Sequence, residues 1–181
     1  WMPEPDPEEF IQVLRVASSA LKKGNPSCVV VSPALAGPGP NPSGMQFLDR
    51  LIELGLPAHC DAISIHPYRH RTTPEAGDLV GDLTHISDFS AQHGKRLPLW
   101  ITELCWVTNL PHGNTERRAA RMLGRAVPLA LSTGFVERIT WFRFSDPGTD
   151  RFYLEHNCSL IRHDLTPKAE YFAYRTCALM L

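Results

Sequence analysis

The side chain best placed for chemistry is Glu103, which follows the apolar run Trp100-Ile101-Thr102. A second such run, residues 61–65, delivers His66-Pro67-Tyr68, and a third carries Trp141; Trp106 lies just beyond Glu103. In a parallel α/β architecture, ligands meet the loops at the C-terminal ends of the strands. A carboxylate, a histidine, a tyrosine and two tryptophans gathered at one such rim suit a sugar. Aromatic faces stack on pyranose rings, and a carboxylate attacks or stabilises an oxocarbenium-like centre.

Each of these residues also has a plain reading. Glu103 could close an ion pair with Arg143 or Arg138, and His66 and Tyr68 could be satisfied strand-end residues. Trp141 could fill the interior of a barrel, and Trp106 could be loop packing. His156, Cys158 and His163 fall short of the four closely spaced ligands that zinc prefers, so no metal is expected. The stretch Gly37 to Gly44 has glycines but neither a Lys-Ser/Thr nor a GxGxxG pattern, so phosphate binding is not expected.

The elements that must position these residues alternate along the chain. Asp6, Pro7 and Glu9 predict a capped helix start, followed by apolar residues at helical spacing and ended by Gly24 and Pro26. Strands are predicted at 28–32, 61–65, 97–102 and 136–144, the first as one buried on both faces. Between them, Ser43 with Gln46 predicts a capping box, Pro74 opens a helix, and Asn114 or Thr115 caps another, in which Pro128 should kink the helix or remove a hydrogen bond. Thr166 and Pro167 begin a terminal helix. One helix followed by four strand–helix pairs predicts a parallel sheet with right-handed crossovers. Four strands cannot close an eight-stranded barrel, which typically takes about 250 residues.

Composition bounds the rest. Of the residues, 43% are hydrophobic and 20% charged, which is ordinary for a globular protein. The formal net charge is −1, and Lys and Arg form no run longer than two, which argues against nucleic acid or an anionic membrane as partner. Five widely spaced cysteines without a CxxC pair read as buried free thiols rather than a disulfide framework.

The ordered set of motifs resembles the clan A glycoside hydrolases. Trp100-Ile101-Thr102-Glu103-Leu104-Cys105-Trp106 is similar to that superfamily's nucleophile strand, the seventh of its (β/α)8 TIM barrel. Asp61-Ala62-Ile63-Ser64-Ile65-His66-Pro67-Tyr68 is similar to the sixth strand, and Ile139-Thr140-Trp141-Phe142 to the eighth, which usually presents a stacking Trp. Asp164-Leu165-Thr166-Pro167-Lys168-Ala169 and Tyr171-Phe172-Ala173-Tyr174 look like its C-terminal ending. Cellulase-like and β-xylosidase-like members fit equally. Two departures stand out: Cys105 occupies a position that is often Gly, and the Asn-Glu-Pro acid/base motif is absent. Pro3-Glu4-Pro5 is its nearest match, but Glu4 has no strand before it and reads as loop, with the acid/base expected upstream of Trp1.

The resemblance implies that residues 1–181 form the C-terminal half of the barrel, strands five to eight, with the N-terminal half absent from the chain. It implies a retaining O-glycosyl hydrolase with Glu103 as nucleophile, His66 or Tyr68 orienting it, Trp141 as the floor and Trp106 as one wall of the sugar site. No cofactor is expected. The expected partners are a carbohydrate substrate and either the missing half-barrel or another copy meeting the exposed sheet edges. The fragment alone should be a poor catalyst. A non-catalytic carbohydrate-binding barrel fragment is the alternative, and a complete small doubly wound domain a third reading.

Overall fold

Among the described residues, five α-helices and four short strands follow one another in the order the sequence predicts. The computed structural model describes residues 5–36, 42–69 and 71–180; Glu4 and most of the Gly/Pro loop before α2 lie outside the described residues. Asp6 caps α1 (Pro7–Gly24), its carboxylate accepting from the Glu9 amide at 2.9 Å. Next come β1 (Leu35–Ala36), α2 (Pro42–Glu53) and β2 (Ile63–His66). Then follow α3 (Leu79–Gln92), β3 (Leu99–Ile101), α4 (Glu116–Ser132), β4 (Val136–Ile139) and α5 (Ala169–Met180). Gly55 and Gly134, at φ of 93° and 72°, make the left-handed exits after α2 and α4 that a side chain would resist.

Several boundaries move from their predicted places for identifiable reasons. The predicted strand at 28–32 does run beside β2: Asp61 N–H donates to Val30 O at 2.7 Å and Ser32 N–H to Ala62 O at 2.9 Å. Pro33 has no N–H to continue that ladder, and regular pairing resumes only at Leu35. Pro74 opens a turn, not a helix; α3 waits for Asp78, whose side chain accepts from the Gly81 amide at 3.1 Å. Thr115 rather than Asn114 caps α4, because the Asn114 amide donates to Val107 O at 3.1 Å. Pro128 sits within an α4 that continues through it. The side chain of Ser43 lies outside the described residues, and α2 opens one residue before it, at Pro42. β4 stops at Ile139, so Trp141 stands beyond the strand in the loop that follows.

The sheet is wholly parallel and its order is β1-β2-β3-β4, without a reversal. Right-handed crossovers in one direction place all the connecting helices on one face, and each helix packs on the next in chain order. A doubly wound sheet needs a reversal, so that reading is set aside. The register pairs Ile63 with Leu99 and Leu99 with Val136, and the next apolar row is Ile65, Ile101 and Ile139. These rows join the helices in the main core. Strand side chains alternate, so the other face carries Ser64, Trp100 and Arg138, with His66 and Thr102 one step further along. The Arg138 guanidinium lies 4.5 Å from the Trp100 ring centre there. In the run 28–32, predicted to be buried on both faces, Val30 and Ser32 are buried, Cys28 and Val31 are half-buried and Val29 is exposed.

Candidate active site at the strand ends

The last residue of β2 and the residues just past β3 meet at the C-terminal edge of the sheet. Parallel pairing of Ile65 with Ile101 sets the level, and Thr102 N–H donating to Ile65 O at 3.2 Å holds the two exits together. Tyr68 O–H donates to Glu103 Oε2 at 2.6 Å, and His66 Nδ1 stands 3.2 Å from the same oxygen. His66 Nε2 lies 3.0 Å from Thr102 Oγ1, which is 2.6 Å from Ser64 Oγ. A neutral imidazole satisfies this chain with each proton used once: Ser64 donates to Thr102, Thr102 to Nε2, and Nδ1–H faces the carboxylate. Among the described residues, Glu103 Oε1 has no hydrogen-bond partner, and the Glu103 side chain is 34% exposed. One oxygen is therefore held, and the other makes no hydrogen bond among the described residues.

Among the described residues, Glu103 makes no ion pair with Arg143 or Arg138. Arg143 pairs with Glu155, and Arg138 stacks on Trp100. The loop that carries Tyr68 is anchored by Arg69, whose side chain is fully buried. Arg69 donates to Pro67 O at 2.8 Å, to Gly77 O at 2.9 Å and to Asp82, tying the loop of Tyr68 to the start of α3. Nothing in the local sequence marks Arg69 for this part, since an arginine in a loop ordinarily points to water.

Burial lowers the pKa of His66 from its usual 6.5, and the Glu103 carboxylate opposes that shift less strongly. Burial and the hydrogen bond to Glu103 push the Tyr68 phenol far above its usual value, so it stays a donor. Folded His66 binds its proton less tightly than the unfolded chain does. Its contribution to stability is complete above the unfolded value near 6.5 and is lost as pH falls from there through the folded value. An imidazole NMR titration is expected to show a His66 midpoint below 6.5, and Glu103→Gln should move it lower still by removing the opposing charge. A midpoint that rises in the variant would contradict the geometry.

The aromatic residues divide differently from the expectation. Trp106 and Trp141 stack on each other with ring centres 6.2 Å apart, and they are only 1% and 6% exposed. Their indole N–H groups donate to Thr72 O at 3.0 Å and Cys158 O at 3.2 Å, so Trp106 ties the loop after β3 to the loop after β2 and Trp141 joins two parts of the segment after β4. Trp106 has its loop-packing reading in this structure and not that of an exposed wall. The aromatic beside the Glu103 cluster is Phe142, half-buried and edge-on to Tyr68 at 6.4 Å, with the Arg143 guanidinium 4.6 Å from its ring centre. Phe142 stands next to Trp141 in the motif read from sequence, and that adjacency is the one signal that could have found it.

A cleft of about 600 Å³ opens nearby between the loop after β3 and the loop after β4. Its lining includes Glu116 and Arg162, 2.5 Å apart, and the buried pair Asp146 and Lys168, also 2.5 Å apart, but not Glu103, His66 or Tyr68. Beyond Lys168, burial raises the Glu170 carboxyl to about 8. Among the described residues, no group of three His, Cys, Asp or Glu side chains is arranged to hold a metal ion, and no helix is long and apolar enough to cross a membrane.

Known proteins share the family signature and the fold. The model of a glycosyl hydrolase catalytic core matches residues 7–171. No curated protein matches the sequence significantly. Among solved structures, a family 39 glycoside hydrolase from the gut symbiont Bacteroides cellulosilyticus WH2 superposes with a TM-score of 0.83 at 26% identity, over 97% of this chain and 38% of that one. A family 128 endo-β-1,3-glucanase from Amycolatopsis mediterranei gives a TM-score of 0.67 at 20% identity, over 92% of this chain and 65% of that one. A glucosidase from Croceicoccus marinus gives 0.70 at 20% identity, over 97% and 36%. The chain thus spans between about a third and two thirds of the length of these structures.

Proposed function

The chain belongs to the glycosyl hydrolase catalytic core family, and from that membership we propose that it carries the nucleophile half of a retaining glycosidase barrel, acting on O-glycosidic bonds of an oligosaccharide or polysaccharide. The observation that carries the reading is the convergence of Tyr68 O–H and His66 Nδ1 on one oxygen of Glu103, with the other oxygen making no hydrogen bond among the described residues, at the carboxyl ends of parallel strands.

In this reading Glu103 Oε1 attacks the anomeric carbon as the glycosidic C–O bond breaks. A second carboxylic acid, about 5–5.5 Å away, gives its proton to the leaving oxygen and later takes one from the water that releases the sugar. That acid comes from sequence outside residues 1–181, on the half-barrel that would pair with the β1 and β4 edges and cover the Ser64–Trp100–Arg138 face. Tyr68 and His66 are positioning residues that fix the carboxylate. Phe142 gives the stacking face next to the reacting sugar, with Trp141 and Trp106 as the packed layer that holds its loop in place.

The test is covalent labelling of the complete enzyme. A 2-deoxy-2-fluoro glycoside with a good leaving group should inactivate it, and peptide mapping should find the added mass on Glu103. A label on another residue, or hydrolysis products with inverted anomeric configuration, would overturn the assignment.

A further inference from the structure

The 600 Å³ cleft between the loops after β3 and β4 shares no lining residue with the Glu103 cluster, yet its walls are fixed to each other. Leu110 N–H donates to Arg151 O at 2.7 Å, and the Thr108 amide and hydroxyl both donate to Asn157 O, at 2.9 and 3.1 Å. Asn157 Nδ2 donates in turn to Asp150 O at 2.8 Å and Tyr153 O at 2.7 Å, and the Asp150 amide donates to His156 Nδ1 at 3.2 Å. A cleft already shaped in this way loses little freedom when a ligand enters it. Asp146 and Lys168 line it as a buried pair, 6% and 3% exposed. A lysine ammonium carries three N–H donors. Lys168 Nζ lies 2.5 Å from Asp146 Oδ2, and no acceptor among the described residues completes a well-directed hydrogen bond with it, so donors are left for a guest.

The lining selects the guest by charge. Glu116 pairs with Arg162 and Asp146 with Lys168, which leaves Arg151 and Asp164, of opposite sign. With the histidines neutral the cleft carries no net charge, so neither a phosphate nor a cation is favoured. It offers instead donors and acceptors side by side, as a polyol requires. At its edge stands Tyr153, 54% exposed and edge-on to the lining residue His156, with ring centres 5.0 Å apart. Leu110, 40% exposed, is on the other wall. A pyranose has this mixed character, with hydroxyls around its rim and apolar C–H faces. We propose that the cleft is a second carbohydrate site, where a neutral stretch of glycan away from the reacting sugar hydrogen-bonds to Lys168 and Arg151 and rests a ring against Tyr153. The inference draws on membership of the glycosyl hydrolase family and on the cleft, not on the role of Glu103.

The test is hydrogen exchange followed by mass spectrometry on the complete protein carrying Glu103→Gln, titrated with cellohexaose, xylohexaose and maltohexaose and, for comparison, with the anionic hexamer of galacturonic acid. At least one neutral hexasaccharide should slow exchange in peptides covering residues 108–116 and 149–157. Tyr153→Ala should raise the concentration giving half of that protection about three- to tenfold, the loss expected of one stacked ring. Arg151→Met should raise it as well, and since both side chains are exposed, both variants should fold. Protection confined to peptides covering residues 61–69 and 100–106 would overturn the proposal and leave the reading of Glu103 standing. So would protection by the anionic hexamer alone, no protection by any of the sugars, or a Tyr153→Ala titration that matches the parent. Hydrolysis of a probe by the Glu103→Gln protein, with residues 108–116 and 149–157 protected, would instead overturn the nucleophile assignment and leave the second site intact.

Discussion

Glu103→Gln in the complete enzyme is expected to lower kcat by about 10⁴- to 10⁶-fold, equivalent to about 5–8 kcal/mol of transition-state stabilisation. The substitution is nearly isosteric. A glutamine oxygen still accepts from Tyr68 and faces His66, so the fold and the sugar-binding surface should survive. What disappears is the negative charge and the attacking oxygen, and with them the covalent intermediate. The measurement is kcat on an aryl glycoside, with sugar affinity measured in parallel by calorimetry. Retained affinity with lost turnover is the expected pair of results. If Glu103 were only a structural carboxylate, the same variant would lower the melting temperature and leave turnover within a few fold. A barrel fragment that only binds carbohydrate would give a third pattern: affinity unchanged, and no turnover in the parent protein either.

Arg69→Met should destabilise the fold by about 3–5 kcal/mol, the cost typical of removing one member of a buried pair. Its guanidinium makes three interactions at once, and its loss leaves Asp82 without its partner and the carbonyls of Pro67 and Gly77 without their donor. Burial already raises the Asp82 pKa against the opposing pull of Arg69. With that pull removed it rises further, so the folded variant holds a proton more tightly than its unfolded chain, and its deficit should narrow as the pH is lowered. Adding Asp82→Asn should recover part of the loss but not all, because the two carbonyls stay unsatisfied. Urea unfolding of the four proteins in the cycle measures this. Equal stability of Arg69→Met and the parent would mean that the arginine does not anchor the loop. Activity should fall along with stability, since the same loop aims Tyr68 at Glu103.

Much of the scaffold was legible because its signals are local. Asp6 and Thr115 cap helices where a short polar side chain precedes a periodic apolar run. The alternation of helices and strands indicated the parallel sheet. The errors are equally physical. Pro33 interrupts a β-branched run that otherwise reads as a strand, and Asp78 out-competes Pro74 as a helix start because it satisfies an orphan amide. Phe142, which lies edge-on to Tyr68, was not singled out beside Trp141 because strand parity is the only sequence guide to which face a residue takes. That guide ends at Ile139, where β4 stops.

The sequence by itself determined the element order, the placing of Glu103, His66 and Tyr68 at strand exits, and the family, because all three rest on short-range patterns and residue identity. Only the tertiary structure decided that Tyr68 and His66 share one oxygen of Glu103, that Arg69 lies buried against the Pro67 and Gly77 carbonyls and the Asp82 carboxylate, and that two tryptophans turn inward. Those contacts join residues from separate loops, and side-chain direction in a loop is set by what packs against it rather than by any periodicity of its own.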